Sequence, residues 1–279
     1  MRIGRINNRL ALVAGNRALD VETASGGRFA ADPDLVFARW DEFTDWAAGR
    51  DPADGDPFTD DQVGPPVLRP AQVFAIGLNY RAHADEAGVA QTPPSPSVFT
   101  KFVTSLTGPY ASVTLPSDQV DWEVELVVVV GRRAYQVSAE EAWQHVAGLT
   151  VGQDLSERAV QLAGPVPQFS LGKSYPGFSP IGPVIVTPDE FSDPNDLALG
   201  CTVDGDVRQD GRTKDLIFNV PQLVSQLSEV LPLLPGDLIF TGTPSGVGMG
   251  RTPKLYLKPG ETLVSTIEGI GELRNTLVS

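Results

Sequence analysis

The sequence is short of the residues that hold soft metals or form disulfides. It has one cysteine, Cys201, and two histidines, His83 and His145, in 279 positions. A lone thiol makes neither an internal bridge nor a cysteine-based zinc site, and its scarcity points to a reducing compartment. Basic residues are also few. Twenty-one Lys and Arg against 35 Asp and Glu leave a net charge of −14, which repels phosphate backbones and argues against nucleic-acid binding. No run approaches the ~18 consecutive apolar residues of a membrane span. The opening MRIGRINNRLALVAG has no apolar stretch long enough for a signal peptide, so the expectation is a cytoplasmic protein away from the membrane.

What the chain has in quantity is punctuation. Twenty-four prolines and 28 glycines are spread along it, the pattern of many short strands joined by turns. Apolar pieces over Arg2–Ile6, Leu10–Ala14 and Leu19–Val21 predict a small meander. The spacing of Leu35, Phe37, Trp40, Phe43 and Trp46 predicts a helix over Asp34–Ala48. Asp51–Pro70, rich in Pro, Gly and Asp, reads as a linker closing an N-terminal module. Beyond it, strands are predicted over Val73–Ile76, Val98–Phe102, Glu125–Val130, Leu149–Val151, Val184–Val186, Leu238–Thr241 and Leu263–Ile267. Leu126–Val130 is apolar at every position, which requires burial on both faces. Asp204-Gly205 marks a two-residue hairpin turn. Ser138 and Glu141 form a capping box for a short helix through Ala147, and Val220–Leu231 is a second helix. Leu171–Pro183 is too rich in Gly and Pro for regular structure. The expected fold is mainly β with some α (α+β): a small N-terminal α/β domain and linker over residues 1–70, then a β-rich domain over 71–279.

Chemistry is concentrated in a few places. In Asp121-Trp-Glu123-Val-Glu125, strand geometry puts Glu123 and Glu125 side by side on one face. Two such carboxylates beside a buried apolar run are unfavourable unless something neutralises them. A divalent cation would do so; so would an exposed strand end, or pairing with Arg132 and Arg133. Asp154 ends the apolar strand at Val151 and offers a third carboxylate, although alone it reads as a helix cap. An all-oxygen set suits Mg²⁺ or Mn²⁺, with Ca²⁺ as a substitute, and the scarcity of His and Cys makes zinc a poor fit. His83 and Glu86 are neighbours if they share a helical turn, and a carboxylate holding an imidazole makes it a better base. Spacing alone describes a surface ion pair just as well. His145 is assigned a structural role, and Lys173 stands alone between apolar neighbours. Thr241–Gly248 matches neither a dinucleotide fingerprint nor a Walker A loop, leaving an oxyanion site or a tight turn.

In this order, the segments Asn79–Glu86, Asp121–Leu126, Asp154 with Arg158 and Gln161, Gly172–Ser174, Pro180–Pro183 and Pro235–Gly248 resemble the fumarylacetoacetate hydrolase superfamily over about residues 70–279. The resemblance implies a mixed β-sandwich roll, usually a homodimer, with a metal on Glu123, Glu125 and Asp154. It also implies a His83–Glu86 dyad on a lid, a catalytic Lys173 facing the substrate, and Arg158, Gln161, Tyr80 and Thr243 around it. The chain departs from the pattern where Gln153 and Leu155 replace the commoner Asn and Val. It departs again where Glu157-Arg158-Ala159 replaces Ala-Arg-Asp, which removes the acid after the arginine. The expected reaction is hydrolysis of a C–C bond in an acylpyruvate, a small 2-oxo acid: His83 activates water, while the metal and Lys173 stabilise the departing pyruvate enolate. Decarboxylation of oxaloacetate and isomerisation of a 2-hydroxydienoate share that enolate and are the alternatives. The rival outside catalysis is an inactive metal-binding homologue.

Overall fold

The run of valines over Val124–Val130 forms the central strand of a long mixed sheet, and all seven of its residues are buried. The computed structural model describes every residue except Ala87, Val89, Ala90, Thr92 and Pro93. The strand lies antiparallel to Val146–Gln153 on one side and to Leu238–Phe240 on the other. Val73–Gly77 and the edge strand Ser97–Thr100 continue the sheet beyond Leu238–Phe240. A five-stranded sheet contains Ala198–Val203, Asp206–Arg212, Thr262–Ile267, Gly271–Val278 and Ser112–Thr114.

The alternation of the central strand explains both layers. Val124, Leu126, Val128 and Val130 share a core with Leu199, Leu263, Leu273 and Leu277 of the five-stranded sheet. Val127 and Val129 point the other way, onto Val36, Phe37, Trp40 and Phe43. Full burial of each such side chain contributes about 1.5–3 kcal/mol, so neither face of the run tolerates a polar residue cheaply. Glu125 belongs to the same alternating set as Val127 and Val129, at the end of the strand that the aromatic layer leaves free for other partners.

The N-terminal meander extends this sheet directly, because Arg2–Ile6 pairs antiparallel with Ser179–Val186, with Ile3 opposite Ile185. The stretch read as a linker is laid against it rather than hanging free. Asp56–Pro57 pairs with Arg17–Asp20, and Val63–Gly64 pairs with Arg2–Ile6. Asp34 holds the end of that stretch by accepting the amides of Leu68 and Arg69 and the Arg5 guanidinium. The helix predicted over Asp34–Ala48 is divided into a 3₁₀ segment, Pro33–Arg39, and an α-helix, Trp40–Ala47.

Two expectations fail. The capping pair is present, with the Ser138 hydroxyl 3.0 Å from Glu141 Oε2, but the helix is only a 3₁₀ turn over Ala142–His145. Val146 already belongs to a strand opposite Val130, and sheet pairing overrides the local helical signal. Leu171–Pro183 is also more regular than its composition suggests, since Phe169–Gly172 is a helical turn and Ser179–Val186 a strand. The ladder to Val146–Gln153 shifts register between Leu149 and Val151, an irregularity of the kind that admits proline into a sheet. The Asp204-Gly205 turn forms as predicted, both residues having positive φ (49° and 86°) between Ala198–Val203 and Asp206–Arg212. The architecture is a mainly β, α+β fold of mixed sheets, with no closed barrel among the described residues. Among those residues no helix is long and apolar enough to cross a membrane.

Candidate active site

Two neighbouring strands deliver the acids. Val124 lies opposite Gln153, and the Asp154 amide donates to the Glu123 carbonyl at 2.9 Å, so the residues flanking that pair meet. Carboxylate oxygens of Glu123, Glu125 and Asp154 lie within 4.8 Å of one another, and all three residues are buried. Gly152 sits opposite Glu125, where a Cβ would come within 2.4 Å of Val127 Cγ2 and 2.8 Å of Phe240 Cε1.

The partners of these acids are not Arg132 and Arg133. Arg132 pairs with Asp41 on the surface. Lys173 Nζ donates to Glu123 Oε2 and Asp154 Oδ2, both at 2.6 Å, and Arg158 Nη2 donates to Glu123 Oε1 at 2.8 Å. Burial would raise the Glu123 pKa, but Lys173 and Arg158 outweigh it and hold the carboxyl at about 2. Glu125 is different. Its hydrogen-bond donor is the Gly242 amide at 2.7 Å, and no cation is bonded to it among the described residues. Burial, then the charges of Asp154 and Glu123, push it well above the usual carboxylate range. A converging set of hard oxygen donors, one lacking its own cation, fits a divalent ion of the Mg²⁺ or Mn²⁺ type.

Two members of this network escaped the sequence reading. Lys101 is fully buried, and its ammonium bonds Asp154 Oδ1 and the Lys173 carbonyl. Burial lowers its pKa despite Asp154 beside it. The available signal was a lysine inside an apolar strand, Val98–Phe102, where a charge needs a reason. Asp121 accepts Arg158 Nε at 2.9 Å and Nη2 at 2.7 Å, as well as the Gly248 and Met249 amides. With no acid following Arg158 in sequence, Asp121 and Glu123 are the acids that hold that guanidinium.

The dyad assembles on the helix Arg81–Glu86, with His83 Nδ1 3.1 Å from Glu86 Oε2. Burial would raise the Glu86 pKa, but the His83 bond and the Gly246 amide hold it below the ordinary value. The Thr241–Gly248 segment can now be read. The amides of Gly242, Gly246 and Gly248 donate to Glu125, Glu86 and Asp121 respectively, so they serve protein carboxylates and not a bound oxyanion. Gly242 and Gly246 have φ of 102° and 106°, and a Cβ at Gly246 would lie 2.3 Å from the Arg208 carbonyl oxygen.

His83, Glu123, Glu125, Arg158, Gln161, Lys173 and Thr243 all line one cavity of about 250 Å³. Arg158 Nη1 is bound to Gln161 Oε1 at 2.8 Å, and the Thr243 hydroxyl donates to the Val124 carbonyl while accepting from Gln209. Tyr80, expected at the substrate, does not line this cavity. It packs in the core between the sheets, and among the described residues its buried hydroxyl has no hydrogen-bond partner.

Residues 72–278 match the family model described as fumarylacetoacetate (FAA) hydrolase, C-terminal. The human mitochondrial oxaloacetate tautomerase FAHD2A is 42% identical over 215 residues, 76% of this chain and 68% of that protein. A Mycobacterium smegmatis protein provisionally assigned as HpcE superimposes with a TM-score of 0.94 at 50% identity, covering 100% of this chain and 99% of the other. Maleylpyruvate hydrolase from Sphingobium sp. SYK-6, solved with manganese(II) and pyruvate, has a TM-score of 0.81 at 27% identity, with 100% and 99% covered. The triad, the dyad and the buried lysine thus stand in a chain that belongs to the fumarylacetoacetate hydrolase C-terminal family.

Proposed function

We propose that this chain acts on small 2-oxo acids through their enol forms, with His83 as the proton carrier. The observation that carries the reading is that His83, bonded to Glu86, lines the same cavity as Glu123 and Glu125 of the three-carboxylate cluster. Glu123, Glu125 and Asp154 would hold a divalent ion, which supplies Lewis acidity to polarise the 2-oxo carbonyl. The manganese and pyruvate in the maleylpyruvate hydrolase structure support that assignment of ligand class.

The protein's own groups divide the remaining work. Glu86 fixes one imidazole nitrogen of His83, leaving the other to exchange protons in the cavity. Lys173 locks Glu123 against Asp154 and places a positive charge beside the position where enolate charge develops. For an acylpyruvate, His83 takes a proton from water, and the water oxygen attacks the acyl carbonyl. The bond from that carbon to C3 then breaks, its electron pair passes into the enolate, and C3 is protonated to give a carboxylic acid and pyruvate. A second reading is keto–enol tautomerisation of oxaloacetate, in which His83 moves a proton between C3 and the 2-oxygen without breaking a carbon–carbon bond. The 42% identity to an oxaloacetate tautomerase favours it.

Purified protein loaded with Mg²⁺ or Mn²⁺ should release pyruvate from 2,4-dioxopentanoate or accelerate the enol–keto exchange of oxaloacetate, followed in the ultraviolet. Loss of neither signal after exhaustive chelation, or the absence of both activities in the loaded protein, would overturn the proposal.

A further inference from the structure

Resting on that reading, we infer that Arg251 is a positioning residue for proton transfer, clamping the glycine turn on which the His83–Glu86 pair is seated. The Glu86 carboxylate accepts the Gly246 amide, 3.1 Å from Oε1 and 3.2 Å from Oε2, while Oε2 also holds His83 Nδ1. The direction of that amide therefore sets where the imidazole stands. Gly246 cannot fix the direction by itself. Its φ of 106° lies in the region that favours glycine, and a residue without Cβ has little backbone preference of its own.

The clamp acts on the other side of the same residue. The Gly246 carbonyl accepts Trp122 Nε1 and Arg251 Nη2, each at 3.1 Å. Arg251 Nη2 also donates to the Arg208 carbonyl at 2.8 Å, the oxygen that would lie 2.3 Å from a Cβ at Gly246. One nitrogen thus ties the glycine turn to the strand Asp206–Arg212 of the five-stranded sheet. Among the described residues the hydrogen bonds of Arg251 all go to these two carbonyls, and its guanidinium lies 5.8 Å from the Trp122 ring centroid. Trp122 directly precedes Glu123, and the Gly248 and Met249 amides of the same loop donate to Asp121. Fixing this loop therefore fixes the dyad relative to the carboxylate cluster. Charge adds to geometry: burial raises the Glu86 pKa, and the His83 bond, the Gly246 amide and then the charges of His83 and Arg251 bring it down.

Two measurements test the clamp, one with turnover and one without. Arg251→Met keeps most of the stem and removes the donors. In the Mn²⁺-loaded protein it should lower kcat about ten- to a hundredfold on 2,4-dioxopentanoate or oxaloacetate, with KM and Mn²⁺ affinity within about threefold of native. Because Arg251 acts through Glu86, its loss should cost little more in a Glu86→Ala background. Imidazole ¹⁵N NMR of the Mg²⁺-loaded protein reads the same contact directly, since His83 and His145 are the two histidines. In Arg251→Met the His83 signal should move towards its position in Glu86→Ala, and the His145 signal should stay. Arg251→Lys, which retains a donor on a shorter reach, should recover part of both effects, and it serves the same comparisons if Arg251→Met does not fold. A native kcat in Arg251→Met overturns the inference, as does a loss that adds fully to that of Glu86→Ala or falls on KM or Mn²⁺ affinity instead. An unmoved His83 signal overturns it too. A native protein that turns over neither substrate brings down the 2-oxo-acid reading, while the His83 signal still decides whether Arg251 positions the dyad.

Discussion

Two charge networks, one in the site and one in the N-terminal meander, are built from the same kinds of side chain and do opposite things. In the meander, Arg5 and Asp34 are buried 2.8 Å apart, Arg69 lies 3.4 Å from the same carboxylate, and Asp34 takes two backbone amides besides. Arg9 meets Asp20 and Glu22 nearer to water. Such a network holds chain segments together. In the site, acids outnumber cations, and Glu125 is left facing Glu123 and Asp154 with an amide as its donor. A buried charge without a counter-charge costs stability, and a fold keeps one where something else must bind. A buried acid with no cation bonded to it, more than burial or the count of charges, separates the candidate site from the structural network.

The sharpest way to break this comparison is Glu125→Gln. On the proposed function, activity should fall by at least ~10²-fold, since one of the three carboxylates that would hold the divalent ion is gone. The metal-free protein should nevertheless melt about 2–4 °C higher, because a repulsive charge has gone. A lower melting temperature for the metal-free variant would mean that the cluster is balanced in a way the geometry does not show. On the proposed proton-carrier role, His83→Ala should lower kcat for acylpyruvate hydrolysis by ~10²–10⁴ with little change in melting. Decarboxylation of oxaloacetate, needing no activated water, should survive that substitution better, and equal loss of both would move His83 to the shared enolate step.

Lys101→Met comes next. It strips Asp154 of one of its two cations in a dry setting, and breaking such a pair costs about 3–5 kcal/mol. Urea unfolding of the metal-free protein would measure it, and addition of Mn²⁺ should recover part of the loss. Asp34→Asn should cost about 1–3 kcal/mol through weakened bonds to Arg5 and the Leu68 amide, with kinetic constants unchanged. The smallest effect is at Asp20. Bonded to Arg9, its carboxyl is lowered from 3.8 to about 2, so the folded chain favours the ionised form. That stabilisation is present above about pH 4 and is lost as the pH falls towards 2. Solvent screening keeps it below ~1 kcal/mol, and Asp20→Asn should flatten the stability profile only in that acid window.

Much of this was legible where one residue's chemistry contradicted its surroundings. Glu123 and Glu125 beside a valine run stand out because local pattern and charge disagree, and strand alternation then puts them together. The helix predicted over Val220–Leu231 forms over Val220–Val230, and the structure adds a local cap of Asn219 with Gln222. Lys101 and Asp121 were not legible, because their meaning comes from partners such as Asp154 and Arg158 that the sheet brings close from far along the chain. The strand Gly271–Val278 was missed for a related reason: it has one face in the core and one in solvent, and Arg274 and Asn275 blur the alternation. His145 and the Ser138 cap show the converse, a sound local signal overruled by pairing of Val146 with Val130.

The pairing of Arg2–Ile6 with Ser179–Val186 has a consequence for how the molecule is made. Arg2 stands opposite Val186, so this strand meets that neighbour only after about 180 further residues have been synthesised. At about 5–20 residues per second, that is a wait of roughly ten to forty seconds. Throughout that interval the Arg2–Gly4 part of the strand's edge is open, with Ile3 awaiting its cover. Nascent chains arrested before residue 179 should therefore be protease-sensitive at their N-termini and bind chaperones there, whereas chains released beyond Val186 should become protected in one step.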